Sequence, residues 1–292
     1  MRAHIVSMYV LCTPCILDPV LRAKGTTKCS DLVLFERSRE RCRKFGIEMV
    51  PLPCPETLYL GAERIPGTFL ERLNYPEFIS LVDALADKVQ KIIDTRGPPI
   101  CILGVNSSPT CGVTSTYYGK SGNEPPKRPG RGVFLRKFPQ IVAMDVATFS
   151  RYRVYLAAPL FSEAERNYNL SVAGLVREHL FDVFLPQETG DDSASRIKED
   201  QVRIFSDNLR ALKNADIIVA VIDGADADSG TSWEMGYASA LGKPIIALRT
   251  DFRSAGSHEK VNLMLEESAV VVTNMEELLE AITSPLTIKN DS

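Results

Sequence analysis

The chain has 292 residues, 45% of them hydrophobic, and a formal net charge of −3 at pH 7. This length predicts about two domains, each with a core of its own, and no apolar run is long enough to predict a membrane span. Residues 1–150 carry 20 Lys and Arg against 14 Asp and Glu, and residues 151–292 carry 14 against 23, but without a long basic run this imbalance favours a solvated surface over a nucleic-acid partner.

The chain begins with the apolar segment MRAHIVSMYVLC, which predicts a first strand. Leu11 precedes Cys12, whereas signal cleavage favours a small residue at that position. The segment therefore does not have the pattern of a lipoprotein signal. Seven cysteines, an odd number, all fall within the first 111 residues. This distribution favours reduced thiols or metal ligands over a disulfide framework. We therefore expect a cytoplasmic protein.

Three strands in the first half each lead to a cysteine. The strand segments are IVSMYVLC, EMVPLP and PICILGV, and helices are expected over residues 31–44 and 75–94. This alternation predicts an open, mostly parallel sheet with flanking helices. Because the carboxyl ends of parallel strands lie at one edge of a sheet, Cys15, Cys54 and Cys111 are expected to converge there.

Three converging thiols leave several chemistries open. Zinc needs a fourth ligand, or a water at a catalytic site, whereas an iron–sulfur cluster held by three cysteines leaves one iron open to a substrate. Cys12 and Cys15 form a CxxC pair, which can serve instead as a redox dithiol. The other cysteines, Cys29, Cys42 and Cys101, are interpreted as buried apolar side chains.

The motifs TPCILDPVLRAKG, LPCPE and NSSPTCG resemble the three cysteine motifs of the thiouracil desulfidase family, over roughly residues 5–135. The resemblance implies a [4Fe-4S] cluster held by Cys15, Cys54 and Cys111. It also implies an open iron that takes the thiocarbonyl sulfur of a thiolated pyrimidine. Site residues carried over from the family are Glu56, which moves protons, and Ser108.

Two segments of the first half depart from that family. Asp18 stands where the family has a glycine, and TLYLGAERIP is poorer in glycine than the corresponding stretch. We expect these departures to affect the identity of the substrate more than the binding of the cluster.

The segment that connects the two halves, residues 119–132, is rich in Pro and Gly, which predicts a loop. The apolar segment VFLRKFPQIVAMDVATF after it is expected to pack as a helical connector. We place the domain boundary near Arg151, with a first domain at residues 1–150 and a second at residues 151–292.

Five strand segments alternate with helices in the second half. The strands are RVYLAAPLF, FDVFLP, DIIVAVI, PIIALR and AVVVT, and helices are expected over residues 162–179, 196–214 and 231–241 and in NMEELLEAI. This order predicts a Rossmann-like or flavodoxin-like open parallel sheet, so the chain is a two-domain α/β protein. No GxGxxG follows the first strand, so neither a dinucleotide nor another cofactor is expected in this domain.

The strand DIIVAVI leads into an acidic loop and then a helix, with Asp228 on the loop and Glu234 in the first helical turn. Thr231 or Ser232 can cap that helix. Two carboxylates where a strand passes to a helix suggest glycosidic chemistry, one as nucleophile and the other handling protons. Acidic residues at helix starts also serve as caps, so each carboxylate alone has a structural interpretation.

The motifs YLAAPLF, FLPQ, DNLRALKNADIIVAVIDG, DSGTSWEMGYASALGKP and VNLML resemble the nucleoside 2-deoxyribosyltransferase family over residues 152–283. The resemblance implies that Glu234 is the nucleophile, Asp228 its neighbouring acid and Tyr155 the tyrosine at the end of the first strand. It places on Asn262 an asparagine that the family donates across a subunit boundary to the sugar. We therefore expect a homo-oligomer with shared sites.

One position departs from the second family. Several members carry a base-contacting aspartate where this chain has Asn208, with Asp207 beside it. Asparagine can donate and accept hydrogen bonds at a base edge but cannot shuttle protons. The base preference is therefore left open.

Together the two halves predict an enzyme that acts on nucleosides or nucleobases, including thiolated pyrimidines. The expected reactions are transfer of 2-deoxyribose through a glycosyl-Glu234 intermediate and cluster-dependent removal of sulfur. One alternative is a nucleoside or nucleotide N-hydrolase with a structural or zinc-binding first domain. Another is a nucleotide- or redox-sensing binding module without turnover.

Overall fold

The computed structural model of the protein describes residues 8–119, 126–189, 198–253 and 259–284. The chain divides into two compact units, Met1–Ser150 and Arg151–Ser292. Parts of four predicted segments lie outside the described residues: the start of the first strand, the Pro- and Gly-rich loop, the loop ETGDDSAS and the first two residues of the helix predicted at 196–214. Each unit has its own parallel sheet with flanking helices, which confirms the predicted α/β class.

The first unit contains a four-stranded parallel sheet in the order β2-β1-β3-β6 and a separate two-stranded antiparallel ribbon of β4 and β5. Its elements are β1 (Tyr9–Cys12), α1 (Cys29–Lys44), β2 (Glu48–Pro51), α2 (Pro55–Leu60), α3 (Phe69–Arg72), α4 (Pro76–Arg96), β3 (Ile102–Gly104), β4 (Ser115–Tyr117), β5 (Lys127–Pro129), β6 (Ala143–Asp145) and α5 (Val146–Phe149).

Helix α4 illustrates how the sequence builds the core of this unit. Pro76 stands at its first position, where the missing N–H costs nothing, and the helix ends at Gly97, whose φ of 85° suits glycine. Its buried residues, Phe78, Val82, Leu85 and Val89, recur at three- and four-residue intervals and so form one apolar face. That face packs in a core cluster with strand residues of β1 and β3.

The predicted helical connector after the Pro- and Gly-rich loop is wrong. Leu135–Lys137 form only a short 3-10 helix, and Ala143–Asp145 form β6, which pairs with β3. Pro139 prevents a continuous helix because it lacks an N–H and clashes with the preceding turn. The segment therefore completes the first sheet.

The second unit contains a five-stranded parallel sheet in the order β11-β10-β9-β7-β8. Its elements are β7 (Arg153–Ala157), α6 (Glu163–Glu178), β8 (Asp182–Phe184), α7 (Lys198–Asn214), β9 (Ile217–Val221), α8 (Ser229–Ala240), β10 (Ile245–Leu248), α9 (Leu263–Ser268), β11 (Val270–Val272) and α10 (Met275–Thr283).

The strand order of the second unit defines where a ligand can bind. Counted from β7, the spatial order is 2-1-3-4-5, the flavodoxin-like order. All residues of β9 and β10 are buried, as strands covered by helices on both faces require. The chain reverses direction across the sheet between β7 and β9, and ligands of such folds bind at the carboxyl ends of these strands.

Within the part of the chain that the structure describes, no helix combines sufficient length with sufficient apolar character to cross a bilayer.

Candidate functional site

The second unit holds a buried tyrosine–glutamate pair at the switch point of its sheet. Tyr155 lies on β7 and is fully buried, and Glu234 lies on α8, which follows β9. The Tyr155 hydroxyl donates a hydrogen bond to Oε1 of Glu234 at 2.5 Å. The Tyr155 ring stacks on Phe184 of β8 with ring centroids 5.5 Å apart. Phe184 of β8 therefore holds the Tyr155 ring, and the Tyr155 hydroxyl in turn holds the Glu234 carboxylate.

The environment of this pair changes the acidity of both side chains. Burial raises the pKa of Glu234 to about 7, the hydrogen bond from Tyr155 opposes this rise, and the charge of Asp228 adds to it. Burial first, and then the charge and hydrogen bond of Glu234, raise the pKa of Tyr155 well above its ordinary value. Tyr155 is therefore a hydrogen-bond donor throughout the neutral range, whereas Glu234 changes its charge near neutrality.

Asp228 is the N-cap of α8. Its Oδ2 accepts hydrogen bonds from the Thr231 N–H at 2.9 Å and the Thr231 hydroxyl at 3.3 Å. The prediction that Thr231 or Ser232 caps this helix is therefore wrong, since the helix begins earlier, at Ser229. For the same reason Glu234 lies in the second turn of α8 and not in the predicted first turn. The Asp228 carboxylate accepts the hydrogen bond of an N–H at the start of α8, and its charge raises the pKa of Glu234. One residue is therefore both the N-cap of α8 and the acid beside Glu234.

The two predicted base-contacting residues on α7 have different environments. Asp207 forms an exposed ion pair with Arg210 at 3.1 Å. Oδ1 of Asn208 is buried and accepts no hydrogen bond from any described residue. A buried acceptor without a donor is uncommon in proteins, so Asn208 is the better candidate for contact with a ligand.

Asn262 lines a hollow beside α8. It is the N-cap of α9, and its Oδ1 accepts a hydrogen bond from the Met264 N–H at 3.0 Å. With Asp226 and Ser232 it lines a hollow of about 640 Å³, whose lining includes neither Tyr155 nor Glu234. The described contacts of a single chain therefore do not bring Asn262 to the Tyr155–Glu234 pair.

The first unit holds a cavity of about 460 Å³ at the carboxyl edge of its sheet. Cys15, Cys54 and Cys111 all line it, together with Glu56 and Ser108. Cys15 lies in the 3-10 helix Pro14–Ile16 after β1, Cys54 is the N-cap of α2 after β2, and Cys111 follows β3. All three cysteines therefore lie beyond the carboxyl ends of strands of one parallel sheet.

The three thiols influence one another inside this cavity. Burial first, and then the nearby Cys54, raise the pKa of Cys111 far above its ordinary value. Burial raises the pKa of Cys15 to about 11, although a hydrogen bond to Thr13 and the charge of Arg22 oppose this. Cys54 Sγ accepts hydrogen bonds from the Thr57 N–H at 3.5 Å and the Thr57 hydroxyl at 3.1 Å. Buried thiols of this kind become good ligands when a metal replaces the proton.

Glu56 has a defined partner for each carboxylate oxygen. Oε1 accepts hydrogen bonds from the hydroxyls of Thr110 at 2.6 Å and Ser108 at 3.2 Å. Oε2 accepts a hydrogen bond from Nε of Arg64 at 3.1 Å. The Ser108 hydroxyl oxygen in turn accepts from the backbone N–H of Cys111 at 3.1 Å. Glu56 is therefore held in one orientation toward the cavity.

Sequence reasoning missed two residues of this cavity. Thr110 touches both Glu56 and the sulfur of Cys111, from which its hydroxyl is 3.4 Å away. Its position next to Cys111 in the motif NSSPTCG was the available signal. Arg64 lies in the stretch TLYLGAERIP, where no periodic pattern marks it.

In the described part of the chain, no three His, Cys, Asp or Glu side chains are arranged to hold a single metal ion. A zinc ion needs thiolates about 2.3 Å away, which brings the sulfurs within about 4 Å of each other. The three thiols line a cavity of about 460 Å³ together with Glu56, Ser108 and other residues. Cysteine thiolates are also the ligands of iron–sulfur clusters, so the donor atoms present fit such a group.

The remaining cysteines divide into two groups. Cys12, Cys42 and Cys101 are at most 2% exposed, in agreement with the expected apolar role of Cys42 and Cys101. The same expectation for Cys29 is wrong, because it is exposed at the first position of α1. All seven cysteines are free thiols.

Comparisons with known proteins each match part of the chain. The family model of nucleoside 2-deoxyribosyltransferases matches residues 154–275. The uncharacterized protein UU063 of Ureaplasma parvum serovar 3 is 32% identical over 117 residues, which cover 35% of this chain and 73% of that protein.

Two solved structures are also similar to part of this chain. The 2-deoxyribosyltransferase of Bacillus psychrosaccharolyticus is 25% identical, with a TM-score of 0.40, over 46% of this chain and 97% of that one. A conserved protein from Enterococcus faecalis V583 is 30% identical, with a TM-score of 0.38, over 45% of this chain and 96% of that one.

Proposed function

Residues 154–275 belong to the nucleoside 2-deoxyribosyltransferase family, and from this premise we propose that the second unit transfers 2-deoxyribose between bases through a covalent bond to Glu234. The observation that carries the proposal is the Tyr155–Glu234 hydrogen bond of 2.5 Å at the switch point of the sheet. A buried carboxylate with its pKa near the working pH is a suitable nucleophile.

The proposed reaction has two displacements at C1′ of the sugar. In the first, a carboxylate oxygen of Glu234 forms a bond to C1′, the C1′–N bond breaks, and the base leaves with the bonding electrons and takes up a proton. In the second, a nitrogen of the incoming base attacks C1′ and releases Glu234. Two inversions give net retention of configuration.

Neighbouring residues have separate roles in this proposal. Tyr155 donates to Oε1 of Glu234, which orients the carboxylate and leaves its other oxygen to attack. Asp228 adds negative charge beside Glu234, and such charge favours the positive sugar of an oxocarbenium-like transition state. The buried acceptor of Asn208 offers a hydrogen bond to a donor on the base.

A double-substrate assay separates transfer from hydrolysis. With deoxyuridine and free adenine, a transferase forms deoxyadenosine, whereas an N-hydrolase forms only uracil and free sugar. Glu234→Ala should abolish both outcomes, and Glu276→Ala, at an exposed glutamate of α10, is the matched control. Unchanged activity in Glu234→Ala would contradict the nucleophile assignment.

We propose further that the active form is a homo-oligomer in which Asn262 completes the site of a neighbouring subunit. Large aromatic side chains remain exposed on α7 and α8 of the single chain, Phe205 by 54% and Trp233 by 50%, which supports an interface there. Mixing inactive Glu234→Ala with inactive Asn262→Ala should restore part of the activity, because a mixed oligomer contains some intact sites. No recovery from an oligomer that exchanges subunits would exclude a shared site.

For the first unit we propose a [4Fe-4S] cluster on Cys15, Cys54 and Cys111 and removal of sulfur from thiolated pyrimidines. The support is the common cavity of the three thiols together with the sequence resemblance. When bound, such a cluster supplies an open iron that accepts soft sulfur ligands. The net reaction is hydrolysis of a C=S bond, in which water gives C=O and hydrogen sulfide without an added oxidant.

In this proposal Glu56 takes a proton from the attacking water. Its Oε1 lies in a chain of hydroxyl groups with Thr110 and Ser108, and such a chain can pass that proton to the departing sulfur. Ser108 is held by the backbone N–H of Cys111 and orients the substrate. The test is an absorption spectrum with iron and sulfide content after anaerobic reconstitution, followed by sulfide release from thiouracil. A colourless, iron-free protein would exclude the cluster.

We also propose that the protein works in the cytoplasm. The seven free cysteines support this, because oxidising compartments favour paired cysteines. Fractionation of the source cells would test it.

A further inference from the structure

Arg64 is a nearly buried cation that contacts two of the three segments carrying the cavity cysteines. Its side chain is 5% exposed. Nε donates to Oε2 of Glu56 at 3.1 Å, Nη1 to the hydroxyl of Thr57 at 3.0 Å, and Nη2 to the carbonyl of Leu21 at 2.8 Å. The three nitrogen atoms of the guanidinium thus donate to three different acceptors. The single ammonium nitrogen of a lysine could not reach all three.

Each of these contacts leads to a different cysteine. Leu21 ends the short helical segment that follows Cys15. The Thr57 hydroxyl donates to Sγ of Cys54 at 3.1 Å. Glu56 is bonded to Thr110, whose hydroxyl lies 3.4 Å from Sγ of Cys111. Arg64 therefore bonds to the Leu21 segment and to both α2 residues that lead to Cys54 and Cys111, alongside a direct hydrogen bond from the Thr57 hydroxyl to the Leu21 carbonyl at 3.3 Å.

We propose that Arg64 is a positioning residue that sets the spacing of Cys15, Cys54 and Cys111 and the orientation of Glu56. Its significance for catalysis rests on the function proposed for this cavity, but the positioning itself is a property of the unloaded chain. Without Arg64, Glu56 loses the partner of one oxygen, and the Leu21 carbonyl keeps only the hydrogen bond from the Thr57 hydroxyl at 3.3 Å. The three cysteine segments are then held together by fewer hydrogen bonds.

The chain contains its own reference thiols for a test. Cys29 is exposed and reports the intrinsic reactivity of the reagent, whereas Cys12, Cys42 and Cys101 are buried and react only when the whole unit opens. The metal-free, full-length protein is treated with iodoacetamide, and the alkylation rate of each cysteine is read by peptide mass spectrometry. This measurement needs no bound cluster and no activity.

Arg64→Gln should increase the alkylation rates of Cys15, Cys54 and Cys111 by about tenfold or more, since hydrogen bonds to a charged group limit local opening. The rates of Cys29 and of the three buried reference thiols should not change. The matched control is Lys24→Gln, which removes an exposed cation that pairs with Glu63 at 3.6 Å beside the same segment. It should leave all seven rates unchanged.

A second pair of variants separates positioning from general stability. Arg64→Lys keeps the charge and should still raise the three cavity rates, because an ammonium cannot hold all three acceptors. In Arg64→Ala, millimolar methylguanidinium should lower those rates again. Unchanged rates at the cavity thiols, or an equal rise at Cys12, Cys42 and Cys101 in both Arg64→Gln and Arg64→Lys, would overturn the proposal.

The outcome is independent of the proposed desulfidase chemistry. If the cavity binds no iron, the alkylation pattern still tests Arg64. If iron binds and sulfide is released but the alkylation pattern of Arg64→Gln equals that of the unchanged protein, only the role of Arg64 is lost.

Discussion

The hydroxyl of Tyr155 lies 2.5 Å from Oε1 of Glu234, across 79 positions of sequence. This contact holds a carboxyl group whose burial raises its pKa to about 7. In the proposed mechanism only the ionised carboxylate attacks the sugar, so kcat/KM for deoxyuridine should rise with pH to a plateau above about pH 7. A pH–rate profile measures this directly, and an acid limb centred near pH 4.5 would contradict the raised pKa.

Two substitutions should move this acid limb in opposite directions. Asp228→Asn removes a charge that raises the pKa of Glu234, so the limb should move to lower pH, while asparagine still caps α8. Tyr155→Phe removes a hydrogen bond that lowers the same pKa, so the limb should move to higher pH. Shifts in the same direction would show that another group controls the profile.

Glu234→Gln should stabilise the second unit at alkaline pH. The pKa of Glu234 is about 7 when folded against an ordinary value of 4.5, so the folded state binds the proton more tightly and loses stability as pH rises between these values. The loss is about 3 kcal/mol by pH 8, and glutamine avoids it while still accepting from Tyr155.

Urea unfolding followed by tryptophan fluorescence tests this prediction. The chain has one tryptophan, Trp233, which lies in the second unit beside the substituted residue. The variant should unfold at higher urea than the unchanged protein at pH 8 and at nearly equal urea at pH 4. A difference that does not depend on pH would contradict the linkage.

Asn208→Ala should weaken the binding of the base without weakening the fold. Its Oδ1 is buried and has no donor among the described residues, and an unpaired buried acceptor costs about 1–3 kcal/mol. Removing it should therefore leave unfolding stability unchanged or higher. The KM for the base should rise about tenfold. A large loss of stability would instead indicate a structural role, and Asp207→Ala is the neighbouring control.

Single substitutions of the cavity cysteines should reduce the iron content after anaerobic reconstitution. Cys15→Ala, Cys54→Ala and Cys111→Ala each remove one of three proposed ligands, so iron should fall to a small fraction of the unchanged protein's content. Cys29→Ala, at the exposed start of α1, should retain the full content. Equal iron in all four variants would exclude these residues as ligands.

The elements were predictable wherever a period or a strong terminal signal marked them. The unalternating apolar run at Ile217–Val221 indicated a buried parallel strand, and Pro76 and Gly97 marked the ends of α4. The strand at Ala143–Asp145 was not predictable, because it is only three residues long and lies within a longer apolar segment that gives no separate signal for it. Only its pairing with β3 in the folded unit decides its conformation.

The positions of site residues were predictable where those residues follow the carboxyl end of a strand. The order of strands placed Cys15, Cys54 and Cys111 at one edge, and the roles of Tyr155 and Glu234 came from family resemblance. Arg64 was not predictable, because its partners lie at Leu21, Glu56 and Thr57. Because these partners lie in separate parts of the sequence, no regular spacing of residues marks Arg64.

The separation of Tyr155 and Glu234 also constrains the order of folding. Their hydrogen bond spans 79 positions and requires β7 to pair with β9, which closes a long loop before it gains any contact energy. Local helices such as α6 can form before that step, but the Glu234 carboxylate cannot be oriented by Tyr155 until it is complete. During refolding, recovery of sugar transfer should therefore lag behind recovery of helical circular dichroism.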